Sequence, residues 1–306
     1  MMFIARRFAL ALPALIGVTI FSFLLIHFIP GDPVDIMLGD QASVADREVL
    51  RHSLGLDLPI TEQFTKYIRG LATLDLGQSL SSGRKVTALL ATHLGATIEL
   101  ALAAFALALL IGIPLGVLAA KFRNRLPDRI LKFYSLIGTS APSYWTGPLL
   151  VYFFALYLGW LPVSERGSFE NLILPALTLS LGLSAVLTQI TRAAMLETLN
   201  EDFIRTARAK GVSEPKIYFK HALANASIPI STVTGLQLGA LLTGTVIVET
   251  IFDWPGIGTL LYQSITRRDY PVVQGCILLI AVTYVLVNVM TEVVQAYLHP
   301  RLRELA

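Results

Sequence analysis

The sequence has little of what soluble enzymes and secreted domains depend on. Only 15% of its 306 residues are charged and 54% are hydrophobic, whereas a typical soluble domain has about a quarter charged residues. A single cysteine, Cys276, excludes a disulfide framework and a cysteine-based metal site. The net charge of +3 is small, and no basic patch is interleaved with aromatic residues, so nothing indicates a nucleic-acid partner.

Motifs for nucleotide hydrolysis and for common hydrolases are also missing. No G-x-x-x-x-G-K-[ST] occurs, so the chain has no P-loop to hold nucleotide phosphates, and the sequence at 82–85 is only superficially similar. The patterns H-E-x-x-H, C-x-x-C and G-x-S-x-G do not occur either. We therefore predict that the chain is not an enzyme, with no catalytic residues and no metal ligands.

What the sequence does contain is six long apolar blocks. Each is long enough to cross a bilayer as a helix. The first, 8–29, is too long for the apolar region of a signal peptide and lacks a small-residue cleavage site after it. The others are 97–120, 130–158 with a break at Ala141-Pro142, 173–191, 228–252 and 275–298. These blocks predict an all-α membrane protein with six transmembrane helices.

The polar segments between the blocks complete the predicted organisation. We expect an N-terminal transmembrane helix at 1–29, a segment at 30–96, a five-helix core at 97–298 and a tail at 299–306. Within 30–96, amphipathic helices are predicted at 44–53 and 61–69, forming a small helical cap. Two GxxxG pairs, one at 112–116 and one at 235–239, favour close helix approach in lipid.

Charge distribution sets the predicted orientation. Fifteen of the 24 Lys and Arg residues lie in the N-terminus, the 121–132 loop, the 192–227 loop and the tail. The remaining nine are spread over the 30–96, 159–172 and 253–274 segments, which are longer in total. The positive-inside rule therefore predicts both termini in the cytoplasm and the 30–96 cap outside it.

The most informative polar stretch runs from 195 to 230. Asn200, followed by two acids, predicts a helix start, and the helix is expected to run over 203–210. Gly211 is expected to end it in a left-handed turn, which glycine enters without a Cβ penalty. Pro215 is tolerated in the first turn of a second helix. The sequence thus predicts a helix–turn–helix hairpin within the 195–227 loop.

The order of residues in this hairpin resembles the EAA loop of ABC importer permeases. That pattern is Glu-Ala-Ala, three residues, Gly, nine residues, then Ile-x-Leu-Pro. Here Ala207, Gly211 and Leu223 match at their spacing, whereas Arg205, Thr206, His221 and Ala224 replace the other members. The variant resembles the dipeptide, oligopeptide, nickel and glutathione branch. Further motifs of that branch are PGDP (30–33), LGLD (54–57), DLGQS (75–79), TIEL (97–100), ETIFDWPGIG (249–258), RRDYPVVQG (267–275) and HPRLRE (299–304).

This resemblance implies a type I ABC importer permease fold in the bacterial inner membrane. It also implies a similar second permease subunit, two ATPase subunits that use ATP and Mg²⁺, and a periplasmic binding protein, with no cofactor bound by this chain itself. The hairpin would then be a coupling element that docks on an ATPase subunit. The residues expected to serve this coupling are Phe203, Arg205, Thr206, Ala207, Lys210, Gly211 and Glu214.

A translocation path needs polar side chains inside the bundle, because lipid-facing polar groups are costly. Interhelical hydrogen bonding is the alternative role for any such side chain. The candidates for the path are Ser140, Ser143, Tyr144, Gln189, Thr234, Gln237 and Thr243, with Thr139 and Thr188 beside them.

Two other classes remain as alternatives. An intramembrane serine protease would pair Ser140 or Ser184 with His221, but His221 falls in the hairpin, and each serine can bond within its own helix. A secondary transporter would use acids within the spans. The acids near the spans are Glu99, Glu249 and Glu292, and structural pairing explains them equally well.

The sequence favours a short peptide as the substrate, because the path candidates are hydroxyls and amides. A nickel chelate or glutathione is the alternative. The spans offer only His27 and Cys276 as imidazole or thiol ligands, which argues against direct nickel ligation.

Overall fold

The computed structural model describes residues 2–28, 34, 43–164 and 166–298. Over these ranges the regular secondary structure is helical, apart from one isolated bridge between Gln78 and Lys85, and turns and loops join the helices. Two π-helical stretches, Val151–Tyr157 and Ile217–Ala222, continue α6 and α9. The helices are α1 Met2–Phe28, α2 Val44–Leu54, α3 Ile60–Ala72, α4 Val86–Lys121, α5 Leu126–Ser140, α6 Ser143–Leu150, α7 Phe169–Thr198, α8 Asp202–Ala209, α9 Glu214–Lys216, α10 Leu223–Ile251, α11 Ile257–Thr266 and α12 Tyr270–Leu298.

Packing divides the chain into two compact units. Unit 1 comprises Met1–Thr97 and Pro255–Val285, and unit 2 comprises Ile98–Trp254 and Leu286–Ala306. The boundaries expected from the apolar blocks, at 29, 96 and 298, follow membrane topology rather than packing and stay a prediction. The tail at 299–306 and the PGDP motif at 30–33 lie outside the described residues.

Unit 1 contains the two amphipathic helices that the sequence predicts, and the structure confirms both as α2 and α3. The Ser43 side chain caps α2 by accepting a hydrogen bond from the Asp46 backbone N–H at 3.2 Å. Helix α3 packs its apolar stripe on α1, where the Phe23 and Phe64 ring centroids are 5.1 Å apart. Cys276 is fully buried in the apolar core of this unit, as expected for a packing thiol.

Unit 2 is a bundle in which glycines allow close helix crossings. A Cβ added at Gly112 would lie 2.7 Å from the Leu187 Cβ, and one at Gly116 would lie 2.5 Å from the Thr191 Cβ. The first GxxxG pair therefore seats α4 against α7. In the second pair, a Cβ at Gly235 would clash with Thr291 Cγ2, so α10 and α12 cross there.

Three described helices are long and apolar enough to span a membrane: Val86–Lys121, Phe169–Thr198 and Tyr270–Gln295. A fourth candidate is bent by 56° between Glu214–Gly239 and Gly244–Ile251, and Leu10–Leu25 is a shorter apolar helix. The block expected at 130–158 is interrupted at Ala141-Pro142, as predicted, and divides into α5 and α6.

Two details of the predicted elements were wrong. The 253–274 segment, which we expected to be a loop between the fifth and sixth apolar blocks, contains α11 and the start of α12. Its Trp254 is buried, and the Trp254 backbone N–H donates to the Glu249 carbonyl at 2.8 Å. The α4 helix begins at Val86, eleven residues before the predicted block, because its first turns pack in the core of unit 1.

Candidate functional site

The hairpin is anchored to unit 2 by its apolar side. Ile204 on α8 and Ile217 in the following π-helical stretch are fully buried. They pack with Val117 near the end of α4 and with Met195 near the end of α7. The hairpin is therefore packed directly on the ends of α4 and α7.

The turn of the hairpin confirms the role predicted for Gly211. Its φ is +76°, in the left-handed region. The Gly211 N–H donates to the Arg208 carbonyl at 2.9 Å, and the Val212 N–H donates to the Ala207 carbonyl at 3.2 Å. This pair of bonds is the Schellman arrangement that ends a helix.

The start of α8 differs from the prediction. Asn200 is not its N-cap, because the helix begins at Asp202 with Glu201 in the capping position. The Asn200 side-chain amide instead donates to the Leu196 carbonyl at 2.9 Å, at the end of α7. Asn200 therefore closes the preceding helix, since the two helices are separated by only three residues.

Four of the predicted coupling residues share one face of α8. Phe203, Thr206, Ala207 and Lys210 follow i, i+3, i+4, i+7 spacing, which places them on one side of a helix. The buried Ile204 lies off this face. We call these four residues the α8 face. The Phe203 side chain is 42% exposed, and Ala207 is half-buried between its longer neighbours.

The remaining coupling candidates serve the hairpin itself. The Arg205 Nη1 lies 3.2 Å from Asp202 Oδ1, within α8. Glu214 accepts a hydrogen bond from Arg208 Nε at 2.9 Å, across the turn. This hydrogen bond raises the pKa of the Arg208 guanidinium, and it ties the two arms of the hairpin together.

A second polar cluster lies beside the hairpin, where α7 approaches α5. Arg192 Nε donates to Asp128 Oδ1 at 2.6 Å, and its Nη2 donates to Oδ2 at 2.9 Å. Asp128 is completely buried, and its carboxylate also accepts from the Asn124 N–H at 2.8 Å. Sequence reasoning missed this cluster. The feature of the sequence that could have indicated it is the single acidic residue among the five basic residues at 121–132.

Two cavities flank the contact between α5 and α7, each of about 490 Å³. The α10-side cavity is bounded by α5, α6, α7 and α10, and the α4-side cavity by α4, α5 and α7. The polar residues of the α10-side cavity are Tyr134, Thr139, Ser143, Thr146, Thr178 and Gln237. Those of the α4-side cavity are Lys132, Ser135, Thr139, Thr188, Gln189 and Arg192.

The path candidates divide between these cavities. Ser143 and Gln237 line the α10-side cavity, Gln189 lines the α4-side cavity, and Thr139 lines both. Ser140, Tyr144 and Thr234 line neither, and the Thr243 side chain lies outside the described residues. The Thr234 hydroxyl donates to the Ile230 carbonyl at 2.7 Å, which is the within-helix role open to any hydroxyl in a membrane helix.

Two of the groups considered for the alternative classes, Ser184 and Glu99, have hydrogen-bond partners in the structure. The Ser184 hydroxyl donates to the Leu181 carbonyl at 2.9 Å and lies 2.6 Å from the Tyr134 hydroxyl. The Glu99 carboxylate accepts two hydrogen bonds from Arg166. These hydrogen bonds give both side chains a structural role in holding the helices in place.

Comparison with protein families decides the class. Residues 112–304 match the family described as "Binding-protein-dependent transport system inner membrane component", and residues 1–101 match its N-terminal companion family. The chain belongs to this family. The permease is therefore a multi-pass protein of the inner membrane, the membrane component of an ABC transporter rather than its ATPase, and the resemblance seen in the sequence is confirmed.

Individual relatives of the permease cover nearly its whole length. It is 44% identical to the di/tripeptide transport system permease protein DppB of Pseudomonas aeruginosa (strain UCBPP-PA14), over 98% of each chain. It is 40% identical to the glutathione transport system permease protein GsiC of Escherichia coli (strain K12), again over 98% of each chain.

A solved structure supports the fold of the permease. A chain of the MetNI methionine ABC transporter in an inward-facing conformation matches with a TM-score of 0.57 at 18% identity. The match covers 69% of the permease and 96% of that chain. At this identity the likeness shows the fold, that of an ABC importer permease.

Proposed function

We propose that the permease is a pore-forming subunit of an ATP-driven importer that passes short peptides from the periplasm to the cytoplasm. The observation that carries this proposal is the 44% identity, over 98% of both chains, to a permease named for di- and tripeptide transport. The hydroxyl and amide side chains of the two cavities suit a polar solute whose side chains vary.

The proposed topology has six membrane spans with both termini and the hairpin in the cytoplasm. The described helices supply up to four spans by length and apolar composition. The other two would be α1, whose Leu10–Leu25 portion is apolar, and the broken 130–158 segment, which covers most of α5 together with α6 and the π-helical stretch after it. The excess of Lys and Arg beside the hairpin supports its cytoplasmic placement.

In the proposed assembly the hairpin docks on one of two ATPase subunits, which bind ATP and Mg²⁺. A similar second permease subunit completes the pore, and a periplasmic binding protein delivers the substrate. The α8 face supports this assignment, because it presents an exposed Phe203 ring and a small Ala207 beside it. The pore would then have an inward-open and an outward-open state. ATP binding on the cytoplasmic side and the loaded binding protein on the periplasmic side would each change the relative populations of the two states.

Glutathione is the second candidate substrate, favoured by the 40% identity to a glutathione permease over 98% of each chain. Because glutathione is itself a tripeptide, both candidates share amide bonds and free carboxylates. Neither relative described above is named for nickel, so a nickel chelate is supported by the sequence resemblance alone.

The substrate is tested by calorimetry on the cognate binding protein, with dialanine, trialanine, glutathione and chelated nickel as ligands. The tight binder is then followed into proteoliposomes that contain the complete transporter and ATP. We expect a di- or tripeptide to bind and accumulate. Tight binding of glutathione or chelated nickel, with no response to any peptide, would contradict the peptide assignment and leave the importer assignment standing.

A further inference from the structure

The α4-side cavity contains more positive charge than its own residues neutralise. Asp128 is the acid that contacts Lys132 and Arg192, and it pairs mainly with Arg192. The Lys132 Nζ lies 3.4 Å from Asp128 Oδ2 and its side chain is 50% exposed. Two cations therefore face one carboxylate at the cavity wall, which leaves one positive charge in excess.

The cavity also has unused hydrogen-bond donors. A guanidinium carries five N–H groups, and Asp128 uses two from Arg192. The ammonium of Lys132 has three N–H groups, and Asp128 is its only ion-pair or hydrogen-bond partner among the described residues. Gln189 lines the cavity, and its side-chain amide bonds to no described residue. Lys132, Arg192 and Gln189 thus have unused N–H donors, and Asp128 balances only one of the two positive charges.

Two of the three hydroxyls of the cavity are already committed as donors. The Thr188 Oγ1 donates to the Ser184 carbonyl at 2.7 Å, and the Thr139 Oγ1 donates to the Ser135 carbonyl at 2.8 Å. The nitrogen donors left for a ligand therefore come from Lys132, Arg192 and Gln189, beside the Ser135 hydroxyl. An anionic oxygen group complements such a set, because each oxygen accepts several charge-assisted hydrogen bonds.

We infer that the α4-side cavity binds a singly charged oxyanion, held by Lys132, Arg192 and Gln189. A volume of about 490 Å³ lies within the range of small-ligand sites. Two sources share this chemistry: the carboxylate of the transported substrate and the phosphate of an anionic phospholipid. The carboxylate source rests on the proposed import of peptides, whereas the anion site itself does not.

The test measures the charge preference of the cavity directly. Cys276→Ser removes the only thiol of this chain, and Ala193→Cys places a thiol at an exposed position that lines the cavity. The complete transporter, without ATP, is held in phosphatidylcholine nanodiscs. The thiol is labelled with two thiosulfonate reagents, one bearing an anionic sulfonate and one bearing a cationic trimethylammonium group. Each labelling rate of the transporter is divided by the rate at which the same reagent labels a small free thiol, which corrects for the reagents' intrinsic reactivity.

We expect the anionic reagent to react several-fold faster at low salt. Lys132→Gln should reduce that preference by about fivefold, because it removes the excess charge at close range. Lys132→Arg should retain it. Arg129→Gln is the matched control, since Arg129 is exposed on the same helix but does not line the cavity. A preference that is absent, or that Arg129→Gln reduces as much as Lys132→Gln, overturns the inference.

Added ligands identify the anion. Slower labelling with dialanine, but not with dialanine amide, assigns the site to a substrate carboxylate. Slower labelling in nanodiscs that contain phosphatidylglycerol, without peptide, assigns it to a lipid headgroup. A charge preference that neither addition alters would show a positive wall without a bound anion and would overturn the inference. Since labelling needs no transport, its result is independent of the peptide-import test.

Discussion

Asp128 and Arg192 join α5 to α7 through two parallel hydrogen bonds of 2.6 and 2.9 Å. The bonds from Arg192 hold the pKa of the Asp128 carboxyl well below its usual range, against the opposing effect of burial. A carboxyl whose pKa falls on folding stabilises the folded state above its ordinary pKa, near 4. That contribution is lost as the pH falls below 4, so the ion pair is intact at neutral pH.

We predict that Asp128→Asn destabilises the permease by about 2–3 kcal/mol, because Arg192 would keep its charge with little solvent around it. Arg192 is 19% exposed, so the loss is smaller than for a fully buried cation. Thermal unfolding of the purified protein measures it. Asp202→Asn is the matched control, since Asp202 is 94% exposed and 3.2 Å from its partner Arg205. Equal shifts for the two variants would refute the structural role of the buried pair.

Gly211→Ala should loosen the hairpin without a steric clash. A Cβ at this position meets nothing within 4 Å, so the cost comes from the positive φ alone, about 1–2 kcal/mol. Gly211→Asn should cost less, because asparagine tolerates this conformation. Amide hydrogen exchange over 203–219 should speed up in the order wild type, Asn, Ala. A Gly167→Ala control, in open space without a positive φ, should leave exchange unchanged, and a similar increase there would contradict the argument.

Asp269 fixes the loop after α3 in unit 1. Its buried carboxylate accepts from the Ser79 hydroxyl at 2.5 Å, the Leu80 N–H at 3.0 Å and the Ser81 hydroxyl at 2.9 Å. In Asp269→Asn an NH₂ group replaces one carboxylate oxygen, so that a hydrogen-bond donor would face donor groups of the 79–81 segment. We expect amide exchange over 77–85 to rise about tenfold, since losing one charge-assisted bond costs roughly 1.5 kcal/mol. Asp57→Asn, at a more exposed carboxylate paired with His52, should not produce this rise.

The proposed orientation predicts which loops an impermeant maleimide can reach from the periplasm. In the Cys276→Ser background, Ser168→Cys should react and Ser213→Cys should not, although both positions are exposed in the fold. Permeabilised cells provide the control, because both positions should then label. The reverse pattern in intact cells would overturn the orientation and the docking of the hairpin on a cytoplasmic ATPase.

Local sequence signals predicted the elements that depend on local chemistry. The Gly211 turn, the α2 and α3 helices and the Ala141-Pro142 break follow from backbone preferences and periodicity, which act within a few residues. Asp128–Arg192 and Ser79–Asp269 join positions 64 and 190 residues apart, and no local pattern reports such pairings. The same limit explains α11, whose buried face depends on distant parts of unit 1.

Coupling through the α8 face is tested most directly by substrate-stimulated ATP hydrolysis and uptake in the reconstituted transporter. Ala207→Asp places a charge within the α8 face, whereas Ala209→Asp places the same charge at an exposed position of the same helix, off that face. We expect Ala207→Asp to insert normally and to lose most of the stimulated hydrolysis and uptake, with Ala209→Asp close to wild type. Wild-type hydrolysis and uptake in the Ala207→Asp transporter would contradict the proposal that this hairpin couples ATP hydrolysis to import.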